Sequence, residues 1–112
     1  MLTLYQAEWC PHSHRVRQRL TELGVDYVAK QVPARREDRA DLRRATGTDR
    51  VPVLVREGGL PLEGSDEILR YLGTRFEEPA DARVHRAKAR EHVAMTAGRR
   101  SRWHGIGMFR LG

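Results

Sequence analysis

One cysteine, Cys10, stands in a chain of 112 residues, and it limits the fold before any pattern is read. A disulfide within the chain needs two thiols, so a disulfide-stapled scaffold is excluded, and so is a metal centre built from several thiolates. The fold must then rest on its apolar core. Apolar residues make up 39% of the chain, enough for one compact domain, with too little chain left for a second full one. The opening Met1-Leu2-Thr3-Leu4-Tyr5 is short for a secretion signal and lacks a basic lead-in. No apolar run nears the ~20 residues of a membrane span. A reducing, cytoplasmic setting is the expectation, without membrane partners.

The formal charge is +6, from 21 Lys and Arg against 15 Asp and Glu. Its position matters more than its size. Residues 1–78 hold 13 basic and 13 acidic side chains, whereas residues 79–112 hold 8 and 2. The excess belongs to the tail, so a nucleic-acid role is not expected of the neutral part. In the tail, Arg99-Arg100-Ser101-Arg102-Trp103-His104 interleaves basic and aromatic residues, which suits nucleic acid or an acidic partner. Pro79 separates this tail, and its Ala- and Arg-rich stretch predicts a partly formed helix with a disordered end. The expected division is a domain over 1–76 and a basic tail over 77–112.

Along the domain, Leu2–Gln6 reads as a strand. Val16, Leu20 and Leu23 then recur at i, i+4 and i+7, one apolar stripe of a helix opening at Pro11 and closed by Gly24. Val25–Val32 alternates as a second strand, stopped by Pro33. The arginine-rich stretch Arg35–Ala45 predicts one surface helix with Leu42 as its chief anchor, its cations balanced by Glu37, Asp38 and Asp41. Val51–Val55 is a strand with a proline near its start, and Gly58-Gly59 turns the chain into Leu60-Pro61-Leu62 as a hairpin. Ser65 is the expected cap of a last helix, with Asp66 and Glu67 in its first turn and Ile68, Leu69, Leu72 and Phe76 along its buried side. The order is β-α-β-α-β-β-α. A helical crossover makes the first two strands parallel, and the hairpin adds two antiparallel strands to a four-stranded mixed sheet.

Cys10-Pro11-His12-Ser13 sits where the first strand hands over to the first helix. Free N–H groups and the positive end of the helix dipole stabilise a thiolate there. His12, His14 and Arg15 add positive potential. Residues two apart point in different directions on a helix, which argues against Cys10, His12 and His14 as metal ligands, and no metal is expected. Val51 precedes a proline that can hold a cis peptide and so offers its backbone to an extended ligand. Ser65 and Asp66 open a helix, supplying N–H donors for a carboxylate and an acid for an amine. A thiolate, a backbone clamp and an amino-acid-end site together suit a small thiol peptide.

These segments carry a resemblance. Leu2–Phe76 looks like the thioredoxin-fold family of glutaredoxins and glutathione S-transferase N-terminal domains. Tyr5–Arg15 is similar to the glutaredoxin active-site segment, Asp49-Arg50-Val51-Pro52 matches the cis-proline segment, and Glu63-Gly64-Ser65-Asp66 resembles the glutaredoxin Gly-Gly-x-Asp stretch. Ser65, Ile68, Tyr71 and Leu72 fit the transferases' last N-domain helix. The resemblance implies that Cys10 forms a mixed disulfide with glutathione or a related small thiol. Val51 would pair with the tripeptide backbone beside Pro52. Gly64, Ser65 and Asp66 would hold the γ-glutamyl end, and His12 would line the groove. Four departures stand out: Ser13 replaces the second cysteine of dithiol relatives, Ala7 replaces a lysine, Gly64 replaces the transferases' Glu or Gln, and the transferases' helical domain is not expected in a chain of this length. An arginine of the Arg35–Arg44 run would then meet the glycyl carboxylate in the lysine's place. The motif differs at two positions from that of cluster-binding monothiol relatives, so no iron–sulfur cluster is expected.

The expected function is thiol–disulfide exchange through one nucleophilic cysteine, with a small thiol and a disulfide-containing substrate as partners. Two alternatives come from other classes. One is a non-catalytic binding module that docks through its basic tail, and the other is a truncated transferase-like protein.

Overall fold

The computed structural model describes residues 1–106, with side chains described from 1 to 95. The tail's Arg99–His104 side chains and the end of the chain, on which the acidic-partner reading rests, lie outside them. The chain divides into two units, residues 1–79 and 80–112.

The first unit follows the expected order: β1 (Leu2–Gln6), α1 (Pro11–Leu23), β2 (Tyr27–Gln31), a 3-10 turn (Arg36–Asp38), α2 (Ala40–Thr46), β3 (Val53–Val55), β4 (Pro61–Glu63) and α3 (Ser65–Arg75). The sheet runs β2-β1-β3-β4, with β1 parallel to β2 and antiparallel to β3, and β4 antiparallel to β3. Leu2, Leu4 and Gln6 of β1 alternate with half-buried Thr3 and Tyr5, as the two-residue period requires. Leu2 and Leu4 enter one core with Val16, Leu20 and Leu23 of α1, Leu54 of β3, and Ile68 and Leu72 of α3. Leu4, Leu20, Leu54 and Leu72 are fully enclosed, and truncating a leucine in such a place costs ~2–5 kcal/mol. Gly24 ends α1 in the left-handed conformation (φ 68°), its N–H returning to Leu20 and Thr21 carbonyls.

Four local expectations change. The strand expected over Val51–Val55 is β3 at Val53–Val55, because Val51 and Pro52 lie outside its pairing with β1. β2 is shorter than Val25–Val32, because its pairing with β1 spans only Leu2–Gln6 against Tyr27–Gln31. The surface helix over Arg35–Ala45 is broken at Arg39 (φ −95°, ψ 45°) into a 3-10 turn and α2. Arg39 is only 4% exposed. Its guanidinium donates to the carbonyls of Pro33 (2.7 Å), Ala34 (3.1 Å) and Asp49 (2.9 Å), and three carbonyls outside the helix hold the chain in the break. Last, the cap of α3 is Gly64 (φ 92°), and Ser65 is its first helical residue. A positive φ suits glycine, which frees the Ser65 side chain for other contacts.

The second unit contains α4 (Ala82–Ile106). His85 meets Asp81 at 3.5 Å and Lys88 meets Glu91 at 3.9 Å along its surface, while Val84, Val93 and Met95 are exposed. No helix among the described residues is long and apolar enough to cross a membrane.

Candidate active site

β1 ends in the middle of the sheet, and the loop after it delivers Cys10 to the start of α1. The Cys10 N–H donates to Ala7 O at 3.1 Å and its carbonyl accepts from His14 N–H at 3.0 Å, so Cys10 is the N-cap and Pro11 opens the helix. Ser13 is fully buried, its Oγ accepting from the Ala7 N–H at 3.3 Å. That contact ties the loop to the first turn. Ala7 is itself 3% exposed.

Burial pushes the Cys10 thiol up, since Cys10 is only 8% exposed. The backbone amide and hydroxyl of Ser13, the backbone amide of His12 and the charge of Arg17 together outweigh it, and the thiol lies below its ordinary value. The contributing cation is Arg17, two turns into α1, instead of Arg15. Arg15 turns to α3, where Nη1 meets Ser65 Oγ at 3.2 Å and Asp66 Oδ1 at 3.4 Å. The acid first turn of α3 and the first helix are thereby joined.

Because the folded thiol titrates below the unfolded one (about 8.5), folding favours the thiolate. The resulting stabilisation is complete above the unfolded value and is lost as pH falls through the folded value. Thermal melts of the reduced protein and of Cys10→Ser should therefore diverge with rising pH across that window. A constant difference would contradict a lowered thiol pKa.

The remaining expected residues come together in one groove of about 440 Å³. It is lined by His12, Arg50, Val51, Pro52, Glu63, Gly64, Ser65, Asp66 and Glu67. The Val51–Pro52 peptide is cis. Pro52 O accepts from Gly64 N–H at 3.0 Å, which sets the clamp segment beside the start of α3. Cys10 itself is not on the groove wall and is represented there by His12, two residues on. A second groove of about 410 Å³ shares Arg50 and Val51 with the first and adds Trp9, Ala34, Arg36 and Arg39. Trp9, immediately before Cys10, is 66% exposed.

Sequence reasoning missed how the clamp is held. Arg36 (Nε 3.2 Å, Nη2 2.7 Å) and Arg43 (3.2 Å) bind the Asp49 carboxylate, while Arg39 binds its carbonyl. The Arg36 guanidinium holds the Asp49 carboxyl below the usual carboxylate range. A single acid two residues before Val51, facing a run of arginines spaced three and four apart, was the available signal. No group of three His, Cys, Asp or Glu that could hold a metal stands together among the described residues.

Residues 4–80 match the family model described as glutathione S-transferase, N-terminal domain. Among solved structures, a diazinon-metabolizing glutathione S-transferase of the silkworm Bombyx mori is 29% identical. The match covers 69% of this chain and 38% of that one, with a TM-score of 0.61. A glutathione S-transferase from Methylobacillus flagellatus KT, solved with GSH bound, is 25% identical over 67% of this chain and 37% of that one (TM-score 0.58). Glutaredoxin 2 from Salmonella typhimurium, in complex with glutathione, shares the fold at 22% identity over 64% of this chain and 32% of that one (TM-score 0.58). The chain thus spans well under half the length of these structures. No curated protein matches the sequence.

Proposed function

The chain belongs to the family of glutathione S-transferase N-terminal domains, with a thioredoxin-like fold, and from that premise we propose that residues 1–76 carry out thiol–disulfide exchange with glutathione or a related small thiol through Cys10 alone. The observation that carries this reading is the Cys10 thiol, drawn below its ordinary value at the start of α1. Ser13 supplies no second thiol, so a thiol molecule from solution must resolve the adduct.

In the first step the Cys10 thiolate attacks the glutathione sulfur of a mixed disulfide. The Cys10 S–S bond forms, the substrate S–S bond breaks, and the substrate leaves as a thiolate that takes a proton from water. In the second step a free glutathione thiolate attacks the glutathione sulfur of the adduct. Glutathione disulfide departs and Cys10 returns as thiolate. The substrate mixed disulfide is reduced to a thiol and one free glutathione thiol is oxidised, the second sulfur of the glutathione disulfide being the one the substrate brought.

Groove contacts support the binding half of the reading. Among the described residues, none engages the backbone N–H or C=O of Val51, which leaves both for the cysteinyl unit of the tripeptide. Ser65 and Asp66, beyond Gly64, receive the γ-glutamyl end, and His12 lines the path to Cys10. The second groove receives the glycyl carboxylate. Of the arginine run, Arg36 and Arg39 line it; Arg39 is buried on backbone carbonyls, whereas Arg36, though paired with Asp49, is 58% exposed and acts with neighbouring Arg50. A disulfide-bearing molecule is the second partner, and a reducing cytoplasmic compartment suits the single free cysteine.

Intact-mass measurement after incubation with glutathione disulfide is the direct test. One glutathionyl group on Cys10 is expected, and no adduct from a thiol of ordinary pKa would overturn the proposal. Ser65→Ala and Asp66→Asn should each raise the half-saturating glutathione concentration roughly 5- to 30-fold, equivalent to ~1–2 kcal/mol, with little change in maximal rate. Unchanged saturation in both would remove the γ-glutamyl end from this groove.

A further inference from the structure

The geometry points to Arg17 as the positioning residue that sets the reactivity of Cys10, with Glu8 as its counterweight. This inference rests on Cys10 as the reacting thiol. Arg17 lies seven residues beyond Cys10, which at 3.6 residues per turn returns it to the same helix face about 10.5 Å further along. Long side chains on a helix lean back toward its N-terminus, so Arg17 points to the loop that carries the cysteine.

Its contacts lie there. Nη1 donates to Gln6 Oε1, and Nη2 donates to Glu8 Oε2 at 3.3 Å. Gln6 is the last residue of β1, and Glu8 lies in the short loop that joins β1 to Cys10. Gln6 is 1% exposed and cannot swing, because its Nε2 donates to Gln31 Oε1 at 2.8 Å and the two residues are register partners across β1 and β2. The buried amide thus aims its oxygen at Arg17, whose side chain is only 18% exposed. A guanidinium held this way keeps its charge in one place, where field strength at the thiol is not averaged over rotamers.

Glu8 works in the opposite direction. It is 79% exposed, pairs with Arg17 from the solvent side and lies two residues before the thiol. Its negative charge offsets part of the Arg17 field and repels the thiolate. The other charged or titratable neighbours are accounted for: His14 Nδ1 lies 3.5 Å from Arg17 Nη2, His12 acts on Cys10 through its backbone amide, and Arg15 is turned to Ser65 and Asp66.

Alkylation of the single cysteine by iodoacetamide, followed against pH, tests this without any glutathione. It separates the inference from failure of the proposed activity. Arg17→Gln should shift the reactivity midpoint upward and slow alkylation at pH 7 about three- to tenfold. Arg17→Lys, which keeps the charge, should recover most of that loss. Glu8→Gln, on an exposed side chain, should shift the midpoint downward. If Arg17→Gln and Arg17→Lys only lower the melting temperature and leave the midpoint in place, Arg17 is a loop anchor and the inference is wrong. Should Arg17→Gln fail to fold, Glu8→Gln decides alone: an unmoved or raised midpoint overturns it.

Discussion

Cys10→Ser is expected to accept no glutathionyl group and to lose thiol–disulfide exchange to background, a fall of at least about 10³-fold. The chain has no other thiol. A serine hydroxyl stays protonated at neutral pH even where Ser13, His12 and Arg17 favour the anion, and it does not attack disulfide sulfur. The exchange changes one atom in a buried place, and serine is a favourable residue at a helix N-cap. The variant should therefore fold as the parent does. Activity in a coupled glutathione assay and intact mass with glutathione disulfide check the two halves together. Retained exchange in a folded Cys10→Ser protein would move the chemistry away from this residue and favour the binding-module reading.

Arg39→Met should have the largest effect on stability of any change in the arginine run. The substitution keeps much of the apolar stem but removes three donors from the carbonyls of Pro33, Ala34 and Asp49. Losing these three part-buried, charge-assisted hydrogen bonds together costs ~2–4 kcal/mol here. In a domain of this size that lowers the melting temperature by about 10–20 °C. Arg35→Met, four residues earlier and 71% exposed beside Glu37, should stay within ~0.5 kcal/mol of the parent. The Asp49 carbonyl lies two residues before Val51, so Arg39→Met should also weaken glutathione binding. Thermal or urea denaturation of both variants checks the contrast. Equal stability of the two would show that Arg39 is not holding the break.

That contrast marks where sequence reading stops. The first helix is legible because its anchors Val16, Leu20 and Leu23 repeat within one element, and Gly24 ends it by a local rule. The sheet order follows from the same local signals plus the crossover rule. Arg39 is different. In the sequence it is one of five arginines between Arg35 and Arg44, and its partners are carbonyls, which have no residue identity to read. Arg17 escapes notice for a related reason, since Gln6 and Glu8 stand before its helix and Gln31 after it, and only the fold brings them together. Ser65 was expected as a cap because serine suits that role, but Gly64 fits the positive φ at the turn out of β4. The groove residues were legible as a set because each marks the end of an element, where backbone groups are free.

The serine at position 13 governs timing as well as structure. Its hydroxyl accepts from the Ala7 amide and is no thiol, and Cys10 is the one cysteine of the chain, so nothing within the chain can release a glutathionyl group once Cys10 holds one. Release is second order and waits for a thiol arriving from solution. On the proposed chemistry, the lifetime of the adduct scales inversely with the surrounding thiol concentration. The fraction of molecules carrying the adduct then follows the ratio of disulfide to thiol in the pool, and the protein acts as a gauge of that ratio even while it turns over.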